Sequence, residues 1–258
     1  MKASRNDSSR KHVERLIDSA ENSKWAYEKI AAFWNDRPNP ADYGATMGKW
    51  VPDFEFAHHV LLETVALTLP ANARILELGA GSGRVSQMLL DCFPDCHVTL
   101  TDISPNMLAG ASQRLAAYEG RFETIVGDFF NPAFTFEPAA FDCAVSFFAI
   151  CHSRAVEQVG DLYQRVAHAI RPAGCFISHD HVLGATPKLT AQNATTWYDF
   201  MIANGLSAED ADYAILTTYQ EDFPLTLVQH LALLADAGFQ NVDVPYKRGL
   251  FGMVVGYL

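Results

Sequence analysis

Short hydrophobic runs alternate along the middle of the chain with longer segments whose apolar residues repeat every three or four positions. The short runs predict buried β-strands, and the longer segments predict amphipathic helices. The predicted strands cover residues 73–78, 97–101, 124–126, 141–148 and 175–179. Predicted helices begin near Arg84, after Pro105 and at Glu157. Because strand and helix alternate and the strands are apolar throughout, the pattern predicts an α/β fold with a mostly parallel, doubly wound sheet.

The pattern changes before residue 71 and again after residue 184. Helical spacing dominates the first part of the chain, and residues 185–222 predict about two further helices rich in aromatic side chains. A helix and an antiparallel pair of strands then return to the core, at 225–237, 241–245 and 252–258. We therefore expect a core of residues 71–184 and 223–258, covered at the carboxyl edge of the sheet by a helical lid of residues 1–70 and 185–222.

Composition narrows the classes of function. The 258 residues carry 30 acidic and 19 basic side chains, a net charge of −11, so the surface as a whole repels phosphate and a nucleic-acid partner is not expected. No apolar run reaches the roughly 18 residues of a membrane span, so no membrane partner is expected. The five cysteines are odd in number and contain no C-x-x-C pair, which favours a reducing, cytoplasmic location. The sequence does not decide whether the protein forms a homodimer.

A glycine-rich loop follows the first predicted strand and opens a helix, in the sequence Glu77-Leu78-Gly79-Ala80-Gly81-Ser82-Gly83-Arg84. Glycine removes side chains where a ligand meets the backbone, and the helix N-terminus offers N–H donors. The dinucleotide fingerprint G-x-G-x-x-G fails, because its last glycine would fall on Arg84 or Ser86. Two further acids, Asp102 and Asp128, end the second and third predicted strands. The three acids should share the crevice where open α/β sheets bind ligands.

The chemistry of these acids selects a cofactor. Asp102 is placed to accept both hydroxyls of a ribose, and Asp128 lies where an adenine amino group is expected, with Phe129 able to stack on the ring. Glu77 precedes the loop directly, where a carboxylate would repel a pyrophosphate but attract an ammonium group. S-adenosylmethionine combines an adenosine with an ammonium group. We therefore predict S-adenosylmethionine as the cofactor or sole substrate.

In these motifs, and in Ser104-Pro105 and Arg171-Pro172-Ala173-Gly174, the chain resembles the class I S-adenosylmethionine-dependent methyltransferases over about residues 71–182. The resemblance implies a Rossmann-like, seven-stranded sheet whose last strand is antiparallel. It also implies that the residues from Glu77 to Gly81 hold the methionine end and that Ser146 and Phe147 line the sulfonium side. The cofactor-binding residues implied in this way are Glu77, Gly79, Ala80, Gly81, Asp102, Ile103, Met107, Asp128, Phe129, Ser146 and Phe147.

Outside the core the chain looks like the carboxy-S-adenosylmethionine synthases of tRNA wobble-uridine modification. The shared landmarks are Trp25-Ala26-Tyr27, Val51-Pro52-Asp53-Phe54, residues 199–207 and Ala237-Gly238-Phe239. In that family a tyrosine stands at the position of Phe54, and an arginine on the insertion helix, here Ile215, binds the additional carboxylate. Residues 207–223 contain no Lys or Arg, so a carboxylate there would be buried without a cation. Carboxy transfer is therefore not expected.

Candidate catalytic residues are placed near the expected sulfonium. His152, just past the fourth predicted strand, suits proton abstraction because imidazole titrates near neutral pH, and Tyr43 is the alternative base. Tyr27 and Phe54 are further candidates, because aromatic faces attract a desolvated cation. Each aromatic residue of this region is also a candidate for the core of the lid, and the set is Trp25, Tyr27, Tyr43, Trp50, Phe54, Phe147, Trp197 and Tyr198.

The other histidines give weaker indications of a functional role. His179 and His181 share one face of a strand, but spacing supplies no third ligand, so no metal site is expected. His58 and His59 lie on a predicted helix and are expected to be partly solvated.

Three functions stay open from the sequence. The first is methyl transfer to a small, apolar or aromatic acceptor under the lid. The second is cyclisation of S-adenosylmethionine itself, in which its amine attacks its own γ-carbon, releasing methylthioadenosine and forming azetidine-2-carboxylate. The third is a non-catalytic module that binds S-adenosylmethionine. The thio-adenosine product distinguishes the first two.

Overall fold

Seven strands of the described residues form one sheet. The structure is a computed structural model that describes residues 2–36 and 47–258, with only the backbone described for residues 2–7 and for Tyr27. The strands are Arg74–Leu78 (β1), His97–Asp102 (β2), Phe122–Val126 (β3), Phe141–Phe147 (β4), Ile170–His181 (β5), Asn241–Arg248 (β6) and Phe251–Tyr257 (β7). Their order across the sheet is β3-β2-β1-β4-β5-β7-β6.

Strand direction agrees with the sequence prediction. Strands β1 to β5 pair in parallel, and β7 is inserted antiparallel to both β5 and β6. The predicted α/β, Rossmann-like sheet with an antiparallel last strand is confirmed. Strand β5 begins earlier than predicted, at Ile170, because its pairing with β4 passes through an irregularity before Cys175. Strand β6 continues past Pro245 because a register shift between Asp243 and Tyr246 accommodates the proline.

Helices cover both faces of this sheet. They are Lys2–Glu21 (α1), Tyr27–Asn35 (α2), Met47–Trp50 (α3), Phe54–Ala66 (α4), Arg84–Cys92 (α5), Pro105–Arg114 (α6), Val156–Ala169 (α7), Pro187–Ala203 (α8), Ala208–Glu221 (α9) and Leu227–Asp236 (α10). Alternate strand residues face opposite sides, so Ile75 and Val145 belong to the core that contains α4 and α5, whereas Leu76 and Phe176 belong to the core that contains α7 and α10. None of the described helices is long and apolar enough to cross a bilayer.

Helices α1, α8 and α9 pack against one another beside the carboxyl end of β5 and the amino end of β7. Ser207 caps α9 with its hydroxyl and forms a reciprocal capping box with Asp210, which fixes where the helix begins. The end of α9 is joined to the start of the chain, because Trp25 N donates to Gln220 O at 2.9 Å and Lys24 Nζ donates to Asp222 O at 2.7 Å. The same segment reaches the core, where Phe223 N donates to Cys151 O at 2.6 Å.

Candidate active site

The loop between β1 and α5 is shaped by glycines with positive φ. Gly79 has a φ of +70°, and a Cβ added there would lie 2.2 Å from Ala149 Cβ. Gly81 has a φ of +53°, and its Cβ would press on Met107 at 3.3 Å. The amides of Gly79 and Ala80 both donate to Thr101 O, which ties the loop to the end of β2. The loop therefore presents bare backbone to the space above the sheet, as a close ligand contact requires.

Glu77 is the next-to-last residue of β1, just before this loop, and is 2% exposed. Its carboxyl group accepts a hydrogen bond from the Ser86 hydroxyl. Burial, and to a smaller extent nearby Asp102, raise the pKa of Glu77 to about 8 against the opposing hydrogen bonds from Ser86. Since an ammonium group would restore the ionised form, this buried carboxyl fits the methionine end of S-adenosylmethionine.

Asp102 ends β2 on the other side of the loop. Its carboxylate accepts hydrogen bonds from Gly81 N and Ser104 N, both at 2.8 Å. Burial raises the pKa of Asp102, and these two amides partly offset the effect. Each carboxylate oxygen has a further lone pair for a ribose hydroxyl. The two amides fix the orientation that such contacts need.

Asp128 and Phe129 follow β3. Asp128 Oδ1 accepts a hydrogen bond from Phe130 N at 2.9 Å, and the Phe129 and Phe130 rings lie 4.7 Å apart in a tilted pair. Phe129 is 7% exposed, so its ring is held by packing. This corner supplies a carboxylate and a fixed aromatic ring, which are suited to an adenine.

One cavity joins these groups to a wall of aromatic side chains. Of the residues predicted from the sequence, twelve line it: Phe54, Glu77, Gly79, Ala80, Gly81, Asp102, Ile103, Met107, Asp128, Phe129, Phe147 and His152. The cavity also has wall residues that the sequence analysis did not assign to the site, namely Ile30, Ala31, Trp34, His58, Ser82, Arg84, Val85, Phe130, Phe148 and Ala149. Helix α2 therefore contributes to the cavity through its apolar face.

Three predicted site residues are not placed in the wall. Ser146 is buried, and its hydroxyl donates to Leu78 O at 3.1 Å, so it joins β4 to β1 instead. Tyr43 lies outside the described residues. Tyr27 is described only through its backbone, at the start of α2. Trp197 and Tyr198 are buried away from the cavity: Trp197 donates to Trp50 O at 2.6 Å and packs edge-on against Phe251, and Tyr198 packs against His12 of α1.

An aromatic stack of His58, Phe147 and His179 stands beside the loop. Phe147 lies between the two imidazoles, with ring centroids 4.1 Å from His58 and 4.3 Å from His179 and interplanar angles of 22° and 20°. His58 Nδ1–H donates to the Phe54 carbonyl at 2.7 Å. Burial lowers the pKa of His58 to about 4 and that of His179 to about 3. His58 is 2% exposed, so the expectation that it is partly solvated was wrong.

A second buried group, the histidine–carboxylate cluster, consists of His152, Asp222 and His181. His152 Nδ1 lies 3.0 Å from Asp222 Oδ1, and His181 Nδ1 lies 3.1 Å from Asp222 Oδ2. Burial alone would lower the pKa of His152, but Asp222 outweighs it and raises the value to about 9. The same contacts hold the pKa of Asp222 well below its usual range, against the opposing effect of burial. His152 is therefore an imidazolium at neutral pH.

Two members of the cluster, together with the neighbouring Cys151, form the one set of three metal-ligating side chains that the described residues bring together. Ligand atoms of Cys151, His152 and Asp222 lie within 4.8 Å of one another. The ion pair between His152 and Asp222 accounts for two members of this set. Burial keeps the pKa of the Cys151 thiol well above its ordinary value, so the third member is a neutral thiol rather than a thiolate ligand.

Positive side chains are few in the cavity. Arg84 and His152 are the cations among the wall residues that the structure describes. Arg84 is held by both oxygens of Glu55, at 2.7 and 2.6 Å. Ile215 is fully buried among apolar residues of α9, where the resemblance to carboxy-S-adenosylmethionine synthases implies a carboxylate-binding arginine. The insertion therefore offers no cation for an additional carboxylate from this position.

Comparison with known proteins agrees with the fold and the loop. Residues 75–174 match a methyltransferase domain family. The carboxy-S-adenosyl-L-methionine synthase of Campylobacter concisus is 23% identical over 78% of this chain and 84% of its own length. The ubiquinone/menaquinone biosynthesis C-methyltransferase of Syntrophotalea carbinolica is 26% identical over 73% of this chain and 76% of its own.

A solved structure shares the architecture at lower identity. The phosphoethanolamine N-methyltransferase 2 of Haemonchus contortus, in complex with its phosphomonomethylethanolamine ligand and S-adenosylhomocysteine, superposes with a TM-score of 0.58 and 22% identity. The match covers 82% of this chain, which spans only 45% of that longer protein. In its motifs, its fold and the methyltransferase domain matched by residues 75–174, the chain is similar to the class I S-adenosylmethionine-dependent methyltransferases, and these similarities support S-adenosylmethionine as its cofactor.

Proposed function

We propose that the protein transfers the methyl group of S-adenosylmethionine to a small, largely apolar or aromatic acceptor. The observation that carries this proposal is the single cavity in which the glycine loop and three acids open onto an aromatic wall. S-adenosylmethionine supplies a methyl group on a sulfonium. Glu77 binds its ammonium group, Asp102 its ribose, and Asp128 with Phe129 its adenine.

In this proposal most of the rate acceleration comes from positioning the acceptor against the methyl group. Methyl transfer is an in-line displacement, so an enzyme accelerates it chiefly by holding the nucleophile near the methyl carbon in a dry site. Ile30 and Trp34 of α2 close the cavity from the side of the lid. Residues 1–70 and 185–222 act as that lid in our proposal, and residues 71–184 and 223–258 form the core that binds the cofactor.

His152 acts as a hydrogen-bond donor in this cavity rather than as a resting base. Its Nδ1 faces Asp222 at 3.0 Å, which leaves Nε2 for the acceptor. An imidazolium whose charge is balanced by a buried carboxylate can orient an acceptor oxygen or nitrogen without repelling the sulfonium as a bare cation would.

Carboxy transfer is a poorer fit to this cavity. The position implied for the arginine is the buried Ile215, and Arg84 is already engaged with Glu55. A carboxylate on the cofactor would therefore be desolvated without a dedicated partner, which costs several kcal/mol (about 3–5 for an unpaired buried charge).

The test is the thio-adenosine by-product. Purified protein is incubated with S-adenosylmethionine, alone and with a panel of small phenols, amines and enols, and the products are separated and identified by mass spectrometry. We expect S-adenosylhomocysteine, formed only when an acceptor is present. Methylthioadenosine formed without an acceptor would support cyclisation instead, and tight binding without turnover would support the non-catalytic module.

A matched pair of variants shows that the product comes from this site. Asp102→Asn removes the carboxylate that faces the ribose, and Asp95→Asn makes the same change at an exposed position on the approach to β2. The first should lose cofactor affinity by about tenfold or more, as expected for a buried charged hydrogen bond, and the second should not.

A further inference from the structure

His58 lines the cavity but has no part in the cofactor binding or acceptor orientation proposed for the other residues. It lies on the buried face of α4, one turn after Phe54, and lines the same cavity as Glu77 and His152. Its Nδ1 lies 2.7 Å from Phe54 O. A carbonyl oxygen only accepts hydrogen bonds, so Nδ1 carries the hydrogen and the lone pair of the neutral ring is on Nε2. Nε2 has no hydrogen-bond partner among the described residues and is left to the cavity.

The ring of His58 is held in a single orientation. One face stacks on Phe147, whose other face is covered by His179, and the Phe54 ring packs edge-on against His58 with ring centroids 4.6 Å apart. Flipping the ring would break the hydrogen bond to Phe54 O and place a C–H group against that carbonyl. The stack and the hydrogen bond therefore aim the Nε2 lone pair at the ligand space.

The surroundings keep this imidazole neutral. Burial is the largest influence on its pKa, which falls to about 4, and the hydrogen bond to Phe54 O opposes it. Arg84 and His59 lower this pKa further, whereas Glu55 raises it. His179, on the far side of Phe147, is itself neutral. The cavity thus holds two imidazoles in opposite states, a protonated donor at His152 and an unprotonated acceptor at His58.

We propose that His58 Nε2 is the proton acceptor for a hydroxyl acceptor, and that the enzyme is therefore an O-methyltransferase. This inference rests on the proposed methyl transfer and specifies its substrate class. A lone pair of the hydroxyl oxygen forms the new O–C bond while the S–C bonding pair stays on sulfur. The O–H proton passes to Nε2, so the products are a methyl ether, S-adenosylhomocysteine and the imidazolium of His58.

The charge balance of this step suits a weakly basic histidine. The positive charge leaves sulfur as the proton arrives at Nε2, so the cavity carries the same net charge before and after the transfer. A protonated ether oxygen is far more acidic than an imidazolium, so His58 takes its proton readily. An alkylammonium product, with a pKa near 10, would keep its proton, and so an amine acceptor gains nothing from this residue.

Three variants separate the proton acceptor from the packing around it. His58→Asn keeps a side-chain N–H that can reach Phe54 O but places no atom at the position of Nε2. His58→Gln puts a non-basic amide there. His59→Asn makes the first change at the exposed neighbouring residue. With a phenol acceptor from the panel, we expect H58N to lower kcat about 100-fold or more and H58Q to rescue it only in part. H59N should match the wild type.

Two measurements do not depend on turnover. Binding of S-adenosylhomocysteine, followed by calorimetry, should change less than about threefold in H58N, since the residue serves the acceptor. Nitrogen-15 NMR of the unmodified protein at pH 7, assigned with H58N, should show His58 as the Nδ1–H tautomer with an unprotonated Nε2. Addition of phenol to the protein loaded with S-adenosylhomocysteine should shift that Nε2 resonance, and addition of anisole should not.

These experiments distinguish failure of the role of His58 from failure of methyl transfer itself. If the wild type forms no S-adenosylhomocysteine with any acceptor, methyl transfer itself fails. If it methylates phenols and H58N does so at the rate of H59N, methyl transfer stands and the role of His58 is refuted. An Nε2–H tautomer or an imidazolium at pH 7 would refute it independently, as would a preference for amine or carbon acceptors.

Discussion

The raised pKa of Glu77 predicts that binding of the cofactor's ammonium group releases a proton. The carboxyl is fully buried with one hydroxyl partner, and its pKa of about 8 makes it mostly neutral at pH 7. An ammonium group binds only the ionised form. With the pKa at about 8, binding at pH 7 should release about 0.9 proton per site.

The magnitude follows from the same pKa. Ionising Glu77 costs about 1.4 kcal/mol for every pH unit below about 8, so affinity should rise by nearly tenfold per unit between pH 6 and 7. Because the pKa of Glu77 is higher in the folded protein than in the unfolded chain, the unliganded protein loses stability as the pH rises from about 4.5 through about 8. A bound ammonium group removes that loss, because it stabilises the ionised carboxylate. Above pH 8 the ligand's own amine titrates, so pH 6–7.5 is the informative window.

Calorimetry with S-adenosylhomocysteine, in buffers of different ionisation enthalpy, measures the released proton directly. Methylthioadenosine is the matched ligand, because it keeps the adenosine but has no ammonium group. Any contribution from Asp102, whose pKa is also raised, is common to both ligands and cancels. Glu77→Gln should abolish the difference between them. Equal proton release for the two ligands, or an affinity that falls from pH 6 to 7, would refute the assignment of Glu77.

Three further predictions concern the loop and the histidine–carboxylate cluster. Gly79→Ala should weaken S-adenosylhomocysteine binding, measured by calorimetry, by about tenfold or more, because the new Cβ meets Ala149 in a strained backbone conformation. Gly48→Ala is the control: residue 48 has open space around it, and this variant should bind like the wild type. In an NMR titration of Asp222→Asn, the pKa of His152 should fall from about 9, since the raised value depends on that carboxylate; an unchanged value would contradict the ion pair. Dialysis against a chelator should leave methyl transfer unchanged, and a loss that zinc restores would show that the cluster holds a metal.

The core was predictable because its signals are local. Apolar strands, the glycine loop and acids at strand ends are all read within a few residues of one another, and parallel strands must bring their carboxyl ends to one edge. His58 had a weaker signal: it falls on the stripe of Phe54, Leu61 and Val65 at helical spacing, which indicates burial even for a histidine. Ser146 was placed by analogy in the cavity, but the alternation of strand side chains and its bond to Leu78 O keep it in the sheet.

The histidine–carboxylate cluster had no such local signal. His152 and Asp222 are 70 positions apart, and they meet because the chain after α9 is joined to the segment after β4 by the hydrogen bond from Phe223 N to Cys151 O. Trp34 reaches the cavity for a comparable reason, since α2 lies across α6. Contacts of this kind depend on how α2 and the end of α9 pack against the elements around the sheet, which hydrophobic periodicity does not encode.

Asp222 directly follows α9 and makes two kinds of interaction, one through its backbone and one through its side chain. Its backbone carbonyl receives Lys24 from the amino-terminal segment, while its carboxylate holds His152 and His181. Grafting an insertion from a relative onto this core would therefore alter the ionisation of His152 unless the graft brought an acid to the same spot. In the proposed function His152 orients the acceptor, so a change at residue 222 would alter acceptor preference as well as the protonation of the site. A library that randomises residues 185–222 should therefore keep residue 222 fixed.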